Sequence, residues 1–384
     1  MELFWALILS LIFSVLGLQG RGFIKTNTIL FDEIESTNQA KTLIECCGFC
    51  GLTPSCQGVK FNGVSCTAIN NVVPNFRAKF NQIAWIDAEL YKHTKKLIFF
   101  SGSTDKTEII DLSFGSSHIL PKTYLGGLGG QISETQAIFC RGRESKNCRY
   151  FDIAKHQEFT LLPNIIVTPR YNSRAIGIPK LEGLWIVGGK NTDTSEIITK
   201  TGSQSGPPVP VMGLQSSCIT EINSTTLMVI GGSAALKNQK SWFVDIESDI
   251  PTNWRWIEGP ELKAGRVGHA CITWHVEDQA FPLVIGGHGL ASTEFLNLDT
   301  NQWFYGVEDL AFDILAPTFA EISDQDTGKK VIYLFGGDNE DANQAMDLIY
   351  KLKCGNQLQI NTCHWFLTAQ KLRVPRSFGI VIQI

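Results

Sequence analysis

Leu184-Trp185-Ile186-Val187-Gly188-Gly189 is an apolar run closed by two glycines, and the chain repeats it. Leu227-Met228-Val229-Ile230-Gly231-Gly232, Pro282-Leu283-Val284-Ile285-Gly286-Gly287 and Ile332-Tyr333-Leu334-Phe335-Gly336-Gly337 follow the same pattern. Leu97-Ile98-Phe99-Phe100-Ser101-Gly102 and Ala137-Ile138-Phe139-Cys140-Arg141-Gly142 keep it with one glycine replaced. The final positions (102, 142, 189, 232, 287 and 337) are 40, 47, 43, 55 and 50 residues apart, 47 on average. A period of about 40–50 residues marks a propeller or solenoid array.

The surroundings of each doublet decide between the two. Downstream lies a strand such as Ser241-Trp242-Phe243-Val244-Asp245 or Glu294-Phe295-Leu296-Asn297-Leu298-Asp299, then one bearing Trp254 and Trp256, Trp303 or Trp365. Upstream lies another, as in Arg266-Val267-Gly268-His269-Ala270-Cys271-Ile272-Thr273. Four strands per unit, rich in β-branched and aromatic residues, make one antiparallel blade. No helical period appears in this part, which disfavours a βα solenoid. These units resemble kelch repeats over residues 95–384, implying an all-β, six-bladed kelch-type β-propeller, with seven blades the alternative. Unit three departs from the pattern, with Pro207, Pro208 and Pro210 where an aromatic strand belongs. Val374-Pro375-Arg376-Ser377-Phe378-Gly379-Ile380-Val381-Ile382 resembles the start of a unit that lacks its doublet. Residues 378–384 are therefore expected to supply the innermost strand of the first blade and remove an open sheet edge.

The chain has 384 residues, 43% hydrophobic and 18% charged, with net charge −4. That supports a folded protein of two domains or one large repeat fold. A near-neutral balance without runs of like charge offers no footprint for nucleic acid or an anionic membrane surface. Leu3 to Leu18 is apolar apart from Ser10, Ser14 and Gly17, too short for the ~20 residues of a spanning helix. It reads as a signal peptide over residues 1–17, despite Glu2 in the usually basic n-region, with an uncleaved anchor as the alternative. The mature chain is expected to be secreted, with no membrane span after signal removal and oxidised cysteines. Asn223-Ser224-Thr225, between two apolar runs, is a glycosylation sequon that reads as a hairpin turn, where a bulky glycan fits.

Five of the eleven cysteines fall between Cys46 and Cys66. No histidine occurs before residue 93, so zinc is disfavoured and a disulfide framework is the default. Ser36 to Ile44 reads as a helix that would carry Cys46 and Cys50 on one face at i and i+4. With Cys56-Gln57-Gly58-Val59-Lys60-Phe61 and Cys66-Thr67-Ala68-Ile69, residues 23–92 resemble a small disulfide-rich α+β domain of the PAN/apple type. The resemblance implies pairing of Cys50 with Cys56 and of Cys46 with Cys66, leaving Cys47 over, and an adhesion role toward protein or carbohydrate. Farther on, Cys140 with Cys148 and Cys354 with Cys363 flank polar turns and could each bridge a hairpin. Cys218 and Cys271 occupy matching inner-strand positions and read as buried free thiols.

Catalytic signatures are missing: no nucleophile elbow, phosphate loop or zinc helix. His269, His275 and His288 share one unit, but His269 reads as inner-strand packing and the others as loop residues at opposite ends, so neither metal nor cofactor is expected. A sialic acid epimerase of the bacterial type has six such blades, and Arg170, Arg174, Arg266 and Arg376 could line an anion-binding channel mouth, a task suited to the guanidinium fork. Arginine near the start of a kelch unit is also a recurrent motif position, and that structural reading is favoured. The resulting expectation is a secreted, non-catalytic protein that binds an extracellular protein or glycan. The alternative, a carbohydrate-active epimerase or lyase, requires arginine and a carboxylate with raised pKa in a deep central pocket.

Overall fold

The computed structural model describes the strands between residues 23 and 87, the strands 96–100, 107–111 and 116–120, and residues 127–383 apart from 142–145, 153–158, 163–164, 233–237, 277–278, 307–308, 324–329, 340–343 and 355–361. The chain divides into two compact units, Met1–Leu97 with Ile109–His118, and Ile98–Glu108 with Ile119–Ile384.

In the first unit, a five-stranded sheet runs in the order Phe23–Thr26, Ala84–Asp87, Gly58–Phe61, Ser65–Ile69, Ile34–Gln39, and Ile29–Phe31 pairs with Val72–Pro74. The helix read from Ser36 is not there: Ser36–Gln39 belong to a strand antiparallel to Ser65–Ile69. The physical reason lies in Ile34-Glu35-Ser36-Thr37-Asn38, where β-branched and short polar side chains disfavour a helix and an adjacent strand offers its ladder. No α-helix occurs among the described residues of this unit, and residues 40–57 lie outside them. Cys46, Cys47, Cys50 and Cys56 lie outside the described residues, as does the signal segment 1–17; Cys66 sits in the strand Ser65–Ile69.

The remaining chain is a β-propeller. Six four-stranded sheets occur among the described residues, five of them begun by the strands Gly127–Ser133, Arg174–Ile178, Cys218–Asn223, Ala270–Val276 and Thr318–Ser323. We number these sheets 2 to 6. In sheet 1 the order is Ile380–Gln383, Lys96–Phe100, Thr107–Asp111, Ser116–Leu120, so the end of the chain supplies its first strand. The first strands follow one another in a closed ring, and Ile380–Gln383 lies against both Thr318–Ser323 and Gly127–Ser133. Antiparallel order then defines two faces. One carries the glycine doublets and the links between sheets, and the other carries the hairpins between first and second strands.

The doublets hold neighbouring sheets together. Gly189, Gly232, Gly287 and Gly337 donate their N–H groups to the carbonyls of Leu214, Arg266, Ile314 and Arg376, each on the link into the following sheet, at 2.7–2.9 Å. At Gly336 (φ +58) a Cβ would collide with the same Arg376 carbonyl, so the close approach requires a bare Cα. The four accepting positions precede the next first strand by four residues. Two residues on from each sits a left-handed residue: Ser216, Gly268, Ala316 and Phe378, with Asn172 at the corresponding place. These join into a backbone chain around the axis, Ser216 to Asn172, Gly268 to Ser216, Ala316 to Gly268 and Phe378 to Ala316, at 2.6–2.9 Å.

Alternate links carry a buried ion pair. Arg170 meets Glu196 at 3.0 Å, Arg266 meets Glu294 at 2.8 Å and Arg376 meets Glu108 at 3.3 Å. Arg170 and Arg266 also donate to the doublet-loop carbonyls of Gly188 and Thr194, or Gly286 and Ser292. The glutamates accept backbone N–H groups from the same incoming links, at Val167, at Lys263 and Ala264, and at Arg373 and Val374. The corresponding places in sheets 4 and 6 are apolar, with Leu214 and Trp242 in one core cluster and Ile314 and Tyr350 in another. Arg376 and Glu108 are 268 residues apart, against 26 and 28 for the other pairs, so this pair performs the same local task across the ends of the ring.

Aromatic side chains fill the wedges between sheets. Trp254 and Trp256 pack on Trp185 of the preceding sheet, at centroid distances of 5.4 and 5.8 Å. Trp303 donates to the Pro260 carbonyl and Trp365 to the Thr293 hydroxyl. In the proline-rich unit, Ser203–Ser205 forms a short outer strand, and the Ser195 hydroxyl donates to the Pro207 carbonyl as Ser241 does to Pro260. Disulfides Cys140–Cys148 and Cys354–Cys363 each cross a pair of neighbouring strands in one sheet. Cys218 and Cys271, read above as free thiols, are instead bonded to each other. Ring closure sets their Cα atoms 5.8 Å apart on adjacent first strands, within disulfide reach.

Two stability measurements follow from these contacts. Gly336→Ala should cost more than about 2 kcal/mol in urea unfolding, because strain and a backbone collision add, whereas Gly202→Ala, with open space around it, should leave the midpoint nearly unchanged. Arg266→Met leaves Glu294 buried without its cation and should cost about 3–5 kcal/mol in the same assay.

Candidate functional site

At the doublet face, the starts of the first strands surround a cavity of about 230 Å³ on the propeller axis. Residues from sheets 1 to 6 line it, among them Leu128, Arg174, Cys218, His269, Thr318 and Phe378. Of the four arginines read as a channel mouth, only Arg174 reaches it. Arg170, Arg266 and Arg376 follow the favoured structural reading and not the channel-mouth one, since each is buried (3%, 0% and 2% exposed) and engaged by its glutamate away from the lining. Arg170 lies on the link, whereas Arg174, four residues later, opens the first strand itself.

Arg174 donates through Nε to the Ser217 carbonyl at 2.8 Å, and its guanidinium carbon lies 5.6 Å from the Phe378 ring centroid. No carboxylate bonds it among the described residues. Burial pulls its pKa down to about 10, so it remains a cation at neutral pH. His269 is buried, and neither ring nitrogen completes a well-formed hydrogen bond, although the Ile230 carbonyl lies beside the ring. Burial first, then the charges of Arg266 and Arg174, hold its pKa well below the usual histidine value. It is therefore a neutral imidazole. The Ser173 and Ser217 hydroxyls, at matching places one residue before their first strands, also lack a hydrogen-bond partner.

No Asp or Glu lines the cavity among the described residues, and no group of three or more His, Cys, Asp or Glu side chains there could hold a metal ion. His275 is not a loop residue; it lies in the strand Ala270–Val276, with Nδ1 3.7 Å from Glu321. His288 follows the Gly286–Gly287 doublet on the doublet face and donates its backbone N–H to the Val267 carbonyl.

The two faces differ in what they expose. Val167, Met212 and Tyr171, at 68%, 67% and 43% exposure, project from the links around Arg174–Ile178 on the doublet face. Backbone bonds from Lys190 to Tyr171 and from Gly213 to Thr192 tie these links to one doublet loop. Asn223 is exposed in the hairpin between Cys218–Asn223 and Thr226–Ile230 on the other face, its Oδ1 accepting from the Thr225 backbone and hydroxyl. The single-residue signals for this site were weak. An arginine opening a first strand was visible, but the matching cavity was not.

No family model matches the chain. No curated protein matches it. A solved structure titled "Structure of YjhT" is similar, with TM-score 0.53 at 8% sequence identity, covering 71% of this chain and 94% of that one. At that identity the likeness concerns the fold. No helix among the described residues is long and apolar enough to cross a membrane.

His269 gives the site a pH signature. Its folded pKa lies below the unfolded value of about 6.5, so the unfolded chain binds the extra proton. The stability it contributes is complete above about pH 6.5 and is lost as pH falls from there toward the depressed folded pKa. His269→Gln should flatten the acid side of the unfolding free-energy curve between about pH 6.5 and 5, measured by urea titration at successive pH values.

Proposed function

We propose that this protein is a secreted, non-catalytic binding protein: a six-bladed kelch-type propeller, preceded by a PAN/apple-like module, that engages an extracellular protein or glycan through its doublet face. The carrying observation is the pairing of two features on that face. Its axial cavity presents the cation Arg174, with no carboxylate lining it among the described residues. Beside it, Val167, Tyr171 and Met212 present apolar and aromatic surface on links braced by backbone hydrogen bonds. Aromatic anchors on a rigid frame lose little conformational entropy on binding. Three disulfides among the described residues accord with an oxidising compartment. Asn223, on the other face, is placed to carry a glycan without covering these links.

The alternative reading, a carbohydrate-active enzyme of the sialic acid epimerase or lyase type, draws on Arg174 in the cavity. It needs a carboxylate able to reach the same bound sugar.

Purified protein on a glycan array, and as bait in extracellular extracts, tests the binding reading. The expected result is a saturable ligand whose affinity falls at least about tenfold in Tyr171→Ala combined with Met212→Ser, and is unchanged in Asn223→Gln. Silence in both formats, or turnover of N-acetylated acidic sugars by the unmodified protein, would count against it.

A further inference from the structure

Cys218–Cys271 differs from the other bridges in the described residues. Cys140–Cys148 and Cys354–Cys363 each lie within one sheet, whereas Cys218 and Cys271 sit on the first strands of neighbouring sheets and line the axial cavity. Cys218 is 8% exposed and Cys271 is more open. Arg174 is anchored through Nε to the carbonyl of Ser217, the residue next to Cys218. His269, two residues before Cys271, is neutral and adds no competing charge. Both cysteines thus line the same cavity as Arg174, a cation that no carboxylate engages among the described residues.

We propose that Cys218–Cys271 is a thiol-exchange site selective for small anionic thiols, that is, low-mass thiols bearing a carboxylate. The incoming thiolate attacks Sγ of Cys271, the more exposed of the two residues. A new S–S bond forms to the small molecule, the Cys218–Cys271 bond breaks, and Cys218 leaves as a thiolate in the cavity that Arg174 also lines. The thiol proton is released to solvent, and no outside oxidant or reductant is needed because one disulfide is exchanged for another. Two features of Arg174 act together: its charge draws the anionic thiol into the cavity, and its position lowers the cost of charge on the leaving sulfur.

The ring can survive the opening. Thr220 and Thr273, two residues along the same strands, share a hydroxyl hydrogen bond of 3.0 Å. Gly268 donates to the Ser216 carbonyl at 2.9 Å just before those strands begin. The same two strands thus remain joined above and below the bridge, and Cys218 stays placed to attack the mixed disulfide and close the bond again. This site is independent of which partner the loops of the doublet face take.

The test uses the full chain under native conditions. It is exposed separately to mercaptopropionate and to mercaptoethanol, quenched by alkylation and mapped by mass spectrometry, with each rate divided by that thiol's rate against a neutral reference disulfide. The expected result is a mixed disulfide at Cys271 that forms about tenfold faster with the anionic thiol. That preference should fall toward one in Arg174→Gln. In the unmodified protein it should also shrink at high salt, a measurement that does not depend on the variant folding. Resistance of Cys218–Cys271 to both thiols while the chain stays folded would overturn the proposal, as would opening at equal normalised rates.

Discussion

A backbone hydrogen bond between neighbouring sheets is the constraint on which the propeller depends. The second glycine of each doublet donates its N–H to a carbonyl on the link into the following sheet, as Gly337 does to Arg376. That carbonyl comes so close to the first glycine that no Cβ fits at Gly336. The glycines thus carry out two tasks at once: they turn the chain between second and third strands, and they let one sheet's edge be satisfied by its neighbour. Buried backbone groups must find partners, and across the gaps between sheets these bonds join the axial chain of link-to-link bonds in supplying them.

The acceptor side of this bond explains the ion pairs. The residue that offers its carbonyl is Arg266 or Arg376 in some links and Leu214 or Ile314 in others. Where it is arginine, the guanidinium reaches a glutamate in its own sheet and ties down both the incoming link and, for Arg266, the doublet loop. Where it is apolar, Trp242 or Tyr350 occupies the place of the glutamate and packing replaces the hydrogen bonds. Buried pairs of this kind are stable because the carboxylate accepts several N–H groups besides the guanidinium, which offsets desolvation. The Arg376–Glu108 pair extends the pattern across the ends of the ring, so the closing strand is held by the same chemistry as the internal ones.

With those arginines committed to the frame, the axial cavity is left with one cation, a neutral histidine and a disulfide. The exposed Val167, Tyr171 and Met212 stand on the same face, on links whose backbone is fixed by the ring. Binding residues are disproportionately carried on loops positioned by a rigid scaffold.

Sequence alone determined the repeat, its strand content and the return of the chain end to the first sheet, because those rest on local signals: glycine pairs after apolar runs, and an Arg376-Ser377-Phe378-Gly379 stretch with no doublet after it. Hairpin cysteines eight or nine residues apart were legible for the same reason. Cys218 and Cys271 were not, since 53 residues separate them and only the radius of the closed ring sets their distance. The strand at Ile34–Gln39 depended likewise on a neighbour, Ser65–Ile69, that local propensity does not see. Four similar arginines could not be sorted by type or spacing; the ring turned three toward glutamates and left Arg174 at the axis. Local chemistry specifies the strands and turns, whereas the positions of side chains from different sheets around one axis are fixed only when the circle closes.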